Sequence, residues 1–118
     1  MSRVLVLDDN KDLCTLMITI IKEMGMEVKC FHSFNDVSLL RRDQLNFDFA
    51  FLDVNLGIEQ PSGIDVYNWL RDREFKGKVI FFTGHARAYP MLQKSLKDPN
   101  VSLLEKPAEI EKIQSVLH

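Results

Sequence analysis

The stretch VLVLDDN, Val4 to Asn10, decides the fold. Its first four residues are apolar without alternation, the pattern of a strand covered on both faces, and it breaks off in two adjacent aspartates. Similar runs recur around Val28–Phe31 and at Phe49–Leu52, Val79–Phe82 and Val101–Leu104, each followed by enough chain for a helix. Five such units in 118 residues predict a single α/β domain spanning 1–118, with a five-stranded parallel sheet between helices.

The helices follow from spacing and punctuation. Leu13, Leu16, Met17, Ile20, Ile21 and Met24 form one apolar stripe, and Gly25 ends that helix. Ile18 points off the stripe beside Cys14, and packing on a neighbouring helix explains it more simply than partner docking. Ser33 or Asn35 caps a second helix carrying Val37, Leu39, Leu40 and Leu45. A third runs from about Ile64 to Arg73, and a fourth begins near Pro90 and stops before Asp98-Pro99. The fifth fills Ala108 to the end.

Composition narrows the function. A net charge of −2 gives no basic field for a nucleic-acid backbone, so nucleic acid is not expected as a direct partner. Cys14 and Cys30 have no further Cys or His at ligand spacing and read as packing residues in a reducing compartment. LMITII, Leu16 to Ile21, is interrupted by Lys22 and Glu23, which argues against a membrane span, and the amino terminus lacks signal-peptide shape. The expectation is a cytoplasmic protein, for which the sequon Asn100-Val101-Ser102 carries no glycan. The five glycines form neither G-x-x-x-x-G-K-[ST] nor G-x-G-x-x-G, so a nucleotide site has no support.

In open parallel sheets, ligands gather beyond the carboxyl ends of the strands. Strand one ends in Asp8 and Asp9, strand three in Asp53, strand four in Thr83 and Gly84, and strand five in Glu105, Lys106 and Pro107. Two carboxylates roughly 4 Å apart repel by about 4 kcal/mol at an effective dielectric near 20, so clustering Asp8, Asp9 and Asp53 calls for a counter-charge. Mg²⁺ suits such hard oxygen ligands and often completes its shell with phosphate oxygens. A carboxylate can attack phosphorus, and Lys106 and Thr83 are the cation and hydroxyl that such a transfer uses. Taken singly, each residue has an ordinary structural reading: a helix cap, a loop start, a surface lysine. Their joint occurrence at successive strand ends is what those readings explain poorly.

On VLVLDDN, FDFAFLDVNL at Phe47–Leu56, VIFFTG at Val79–Gly84 and LLEKP at Leu103–Pro107, the chain resembles, over essentially its full length, a response-regulator receiver domain of two-component signalling. The resemblance implies a flavodoxin-like strand order 2-1-3-4-5. It implies that Asp53 is the phosphoacceptor, that Asp8, Asp9, Asp53 and the Asn55 backbone carbonyl hold Mg²⁺, and that Thr83 and Lys106 contact phosphoryl oxygens. The donor would be a histidine kinase or histidine phosphotransfer protein. The output would be a switched binding surface on the face of helix four, strand five and helix five, read by a downstream protein target or output domain. A phosphorylation-dependent dimer stays open, and no enzyme activity beyond self-phosphorylation and autodephosphorylation is implied.

Three departures accompany the match. Leu103 stands where the family usually has an aromatic residue, which implies altered signal transmission without loss of phosphorylation. The loop after Asp53, LGIEQPSG, places Gly57 where a proline is common and delays the later glycine to Gly63. It is two residues longer than usual; a harmless insertion is the simpler reading, with Glu59 a candidate modulator of access. His85 and Asn55 occupy positions that tune acyl-phosphate lifetime in the family. One rival is a phosphatase of the haloacid-dehalogenase class, which needs a second Asp two residues after the nucleophile. Here Asn55 follows Asp53 and Asn10 follows Asp8 at that spacing. The other rival is a pseudo-receiver interaction module that phosphorylation does not regulate; Leu103 speaks for it, and the retained acidic, hydroxyl and lysine residues speak against it.

Overall fold

The computed structural model describes residues 2–84, 86 and 89–117. Five strands, β1 (Arg3–Leu7), β2 (Glu27–Phe31), β3 (Phe49–Leu52), β4 (Lys78–Thr83) and β5 (Val101–Glu105), form one parallel sheet in the order β2-β1-β3-β4-β5. Among the described residues five α-helices connect or follow them: α1 (Lys11–Glu23), α2 (Phe34–Ser38), α3 (Gly63–Asp72), α4 (Pro90–Ser95) and α5 (Ile110–Ser115).

Strand alternation divides the core into two layers. Val4, Val6, Phe51, Ile80 and Phe82 pack with Cys14, Met17, Ile20 and Ile21 of α1 and with Ile113 of α5. Leu5, Leu7, Leu52, Val79 and Phe81 face the other way, toward Val37 of α2, Val66 and Leu70 of α3 and Leu92 of α4. Both faces of the central strands are therefore dry, which accounts for their unbroken apolarity.

The helices depart from expectation in detail. In α1 the buried residues are Cys14, Met17, Ile20 and Ile21, while Leu16 is 46% exposed. The stripe is rotated because the small Cys14 side chain, not Leu16, faces the sheet. Gly25 follows the Met24 cap with φ +79°, the left-handed conformation that glycine adopts without a Cβ penalty.

The second helix is much shorter than its apolar residues suggested. It is capped by Ser33, whose hydroxyl accepts from the Asp36 amide at 3.3 Å, and it ends at Ser38, leaving Leu39 75% exposed. Ser38 Oγ donates to the Asn35 carbonyl, a local bond that competes with helix propagation. Leu45 reaches the core from a separate 3-10 turn, Arg42–Gln44. The last helix starts at Ile110, two residues beyond Ala108. The fourth starts at Pro90, as the fixed φ of proline favours.

Candidate functional site

Register assembles the site. Leu7 pairs with Leu52 and Leu52 with Phe81, so β1 and β3 end level while β4 runs two residues further, to Thr83. The chain then continues as Asp8, whose amide donates to the Phe31 carbonyl at 3.0 Å, and as Asp53, whose amide donates to the Leu7 carbonyl at 3.0 Å. Both carboxylates thus leave adjacent central strands, side by side, at the point where strand order reverses.

Asp8, Asp53 and Thr83 are buried polar residues, while Asp9 is exposed. Asp8, Asp9 and Asp53 each place a carboxylate oxygen within 4.8 Å of the others. Lys106 Nζ reaches into the group from the end of β5, 2.7 Å from Asp8 Oδ2 and 3.2 Å from Asp53 Oδ2. Its own amide donates to the Thr83 carbonyl at 2.9 Å, tying it to the end of β4. With Asn10, Asn55 and Gly84 these residues line a cavity of about 370 Å³.

Electrostatics follow from burial. Asp53 is pushed above the usual carboxyl range by desolvation first and by the charge of Asp8 second, with Lys106 opposing both. Burial alone would lower the Lys106 ammonium; its hydrogen bond and charge interaction with Asp8, together with Asp53, outweigh that and raise it. The donor set of three carboxylates suits a hard divalent cation, and the ammonium bridging two of them offsets part of the same negative charge.

The structure brings Asp8, Asp9, Asp53, Asn55, Thr83 and Lys106 to one cleft. Asn55 donates its amide to Asp53 Oδ1 at 3.3 Å, and its side-chain oxygen accepts from the Gly57 amide, so that side chain is committed to the loop turn. Leu103 is half-buried against the core layer that holds Phe81 and Leu92. Glu59 is exposed, with φ +60°. His85 lies outside the described residues.

Two supporting residues escaped the reading of strand ends. Asn10 caps α1 through Oδ1 and donates its amide to Asp8 Oδ1 at 2.9 Å. His32, directly after β2, places Nδ1 3.1 Å from the Asp8 carbonyl oxygen. Its position at the end of the remaining strand was the available signal.

An acidic, lysine-bridged cleft at the switch point of a 2-1-3-4-5 parallel sheet defines a flavodoxin-like α/β protein built around a charged carboxyl-end site. Residues 4–118 match the response regulator receiver domain, and the chain belongs to that family. The response regulator protein TodT of Pseudomonas putida is 26% identical over 112 residues, covering 95% of this chain and 48% of TodT. The chain therefore spans about half the length of the curated relatives it matches.

Solved structures share the fold. A response regulator from Burkholderia pseudomallei, with a phosphorylated aspartic acid, calcium ion and citrate, has a TM-score of 0.79 at 24% identity, covering 100% of this chain and 67% of that one. TrrA from Thermotoga maritima, in complex with Mg²⁺-BeF, has a TM-score of 0.75 at 22% identity, covering 99% of this chain and 96% of that one. Among the described residues no helix is long and apolar enough to cross a membrane.

Proposed function

We propose that residues 1–118 form one receiver domain in which Asp53 accepts a phosphoryl group from the phosphohistidine of a histidine kinase or histidine phosphotransfer protein. An Asp53 carboxylate oxygen forms the new bond to phosphorus, the phosphorus–nitrogen bond breaks, and the electron pair leaves with the imidazole, which is then protonated. Thr83 donates its hydroxyl to one phosphoryl oxygen and Lys106 its ammonium to another. Asp8, Asp9, Asp53 and the Asn55 carbonyl hold Mg²⁺, which when bound neutralises charge on the transferring group.

The carrying observation is Lys106 Nζ between Asp8 and Asp53. It is a cation held against the proposed nucleophile by residues far apart in the chain, an arrangement of no use to a simple helix cap. The phosphorylated aspartate of the Burkholderia protein and the Mg²⁺-BeF of TrrA support the same chemistry on the same fold.

The output is a population shift: phosphorylation favours one of two arrangements of the surface around α4, β5 and α5, which a protein target or output domain reads. A dimer formed on phosphorylation is one such reader. The chain turns over no external substrate beyond its phosphodonor.

Intact mass after incubation with acetyl phosphate and Mg²⁺ tests the reading. The native chain should gain one labile phosphoryl group and Asp53→Asn none. A folded, Mg²⁺-binding native chain that gains none from either acetyl phosphate or a histidine kinase would leave an unphosphorylated interaction module.

A further inference from the structure

Gly63 is the first residue of α3 and is buried. Its backbone is not among the positive-φ glycines Gly25 and Gly57, so conformational freedom does not explain it. Space does. A Cβ at this position would stand 2.8 Å from the Asp53 carbonyl carbon and 3.1 Å from Val54 Cα, and well inside contact distance of the Asp53 carbonyl oxygen. The Gly63 amide donates to the Val54 carbonyl at 2.9 Å, closing the base of the loop that leaves Asp53.

The helix start cannot easily retreat. Ser62 Oγ accepts from the Asp65 amide at 3.3 Å, and Asp65 Oδ2 accepts from the Ser62 amide at 2.8 Å, a reciprocal cap that fixes the first turn. Asp53 is held on its other side by the Leu7 carbonyl. Its main chain is therefore clamped between β1 and the first turn of α3.

We infer that Gly63 is a positioning residue for the Asp53 carboxylate, setting the nucleophile's place through backbone contact. This rests on the phosphoacceptor reading above. Any side chain at 63 displaces the Asp53 peptide by about an ångström, and misplacement on that scale costs on the order of a hundredfold in rate. The exposed loop tip, Gly57 to Pro61, lies beyond this closure.

Gly77 supplies the control. A Cβ there would meet the carbonyl oxygens of Phe47 at 2.7 Å and Asp48 at 2.9 Å, comparable crowding at the opposite end of β3. Gly63→Ala and Gly77→Ala should both lower Tm. At a temperature where circular dichroism finds both folded, Gly63→Ala should label with acetyl phosphate at least tenfold more slowly than the native chain, and Gly77→Ala within twofold of it.

Should Gly63→Ala fail to fold, Ser62→Ala, which loosens the cap and keeps the glycine, should slow labelling two- to fivefold. If the native chain takes no phosphoryl group, the phosphoacceptor reading fails. Gly63 is then judged by the Asp8 and Asp53 amide resonances, which should move in Gly63→Ala and stay in Gly77→Ala. A folded Gly63→Ala with native labelling and native resonances, or a Gly77→Ala equally impaired, overturns the inference.

Discussion

At Asp53, burial and the neighbouring Asp8 charge favour the protonated carboxyl, whereas attack on phosphorus needs the carboxylate. The stability that protonation lends is complete below the unfolded value near 3.8 and is lost as pH rises through the higher folded value. Asp53→Asn keeps the shape without the charge, so at pH 7 and without metal its Tm should exceed the native one by a few degrees. An equal or lower Tm would mean that Lys106 already cancels the repulsion. Lys106 Nζ contacts Asp8 Oδ2 and Asp53 Oδ2, on two of the carboxylates that would hold the cation. Lys106→Gln should therefore tighten Mg²⁺ binding several-fold in calorimetry while slowing acetyl phosphate labelling; weaker Mg²⁺ binding would contradict the competition. Cys30 offers a second titratable probe of the fold. Desolvation, then its contact with Cys14, pushes its thiol up to about 12 from 9.0. Folding favours the thiol form, so this contribution is present below pH 9 and lost as pH rises toward 12. Iodoacetamide at pH 8 should leave Cys30 unmodified in the folded chain and alkylate it in urea.

Among the elements, those whose signal is local matched the sequence. β3 matches its apolar run, α4 begins at its proline and α1 ends beside its glycine. Gly25→Ala places a Cβ at φ +79° and should cost about 1 kcal/mol in urea unfolding. What the sequence hid was tertiary. Leu16 and Cys14 are equally compatible with an apolar face, and only docking of α1 on β1, β2 and α5 buries the cysteine. Leu39 and Leu45 share one apolar count, but Leu39 caps the end of α2 and Leu45 the end of a separate 3-10 turn, a break that no spacing rule reveals. The cleft was legible because Asp8, Asp53 and Lys106 stand directly after strands and Thr83 ends one; Gly63 was legible only as a spacing, since its reason is the carbonyl it faces. Arg71 likewise looks like an ordinary surface arginine, yet it donates to the Phe75 and Gly77 carbonyls at 2.8 and 2.9 Å and pairs with Asp98 at 3.4 Å. It fastens the end of α3 to the turn before β5. Arg71→Met should cost about 2 kcal/mol in the same assay, through the lost charge-assisted bonds.

For the molecule as a whole, the two core layers share every central strand, so neither can melt alone. Fluorescence of Trp69, packed edge-on against Phe34 in one layer, and far-ultraviolet circular dichroism should give superimposable urea transitions for chain 1–118. Separate midpoints would divide the chain into independently folding parts. The Lys106–Asp8 contact spans 98 positions of sequence. β1 can pair with β2 and β3 early, but the cation that relieves Asp8 and Asp53 sits beyond the last strand. During synthesis the carboxylates stand unrelieved until β5 has emerged and docked, so the acidic centre is completed late, at the end of a search made slow by distance along the chain. A nascent or clipped chain that stops before β5 would carry the acids without Lys106, and the cleft would keep its full negative charge until that strand is in place.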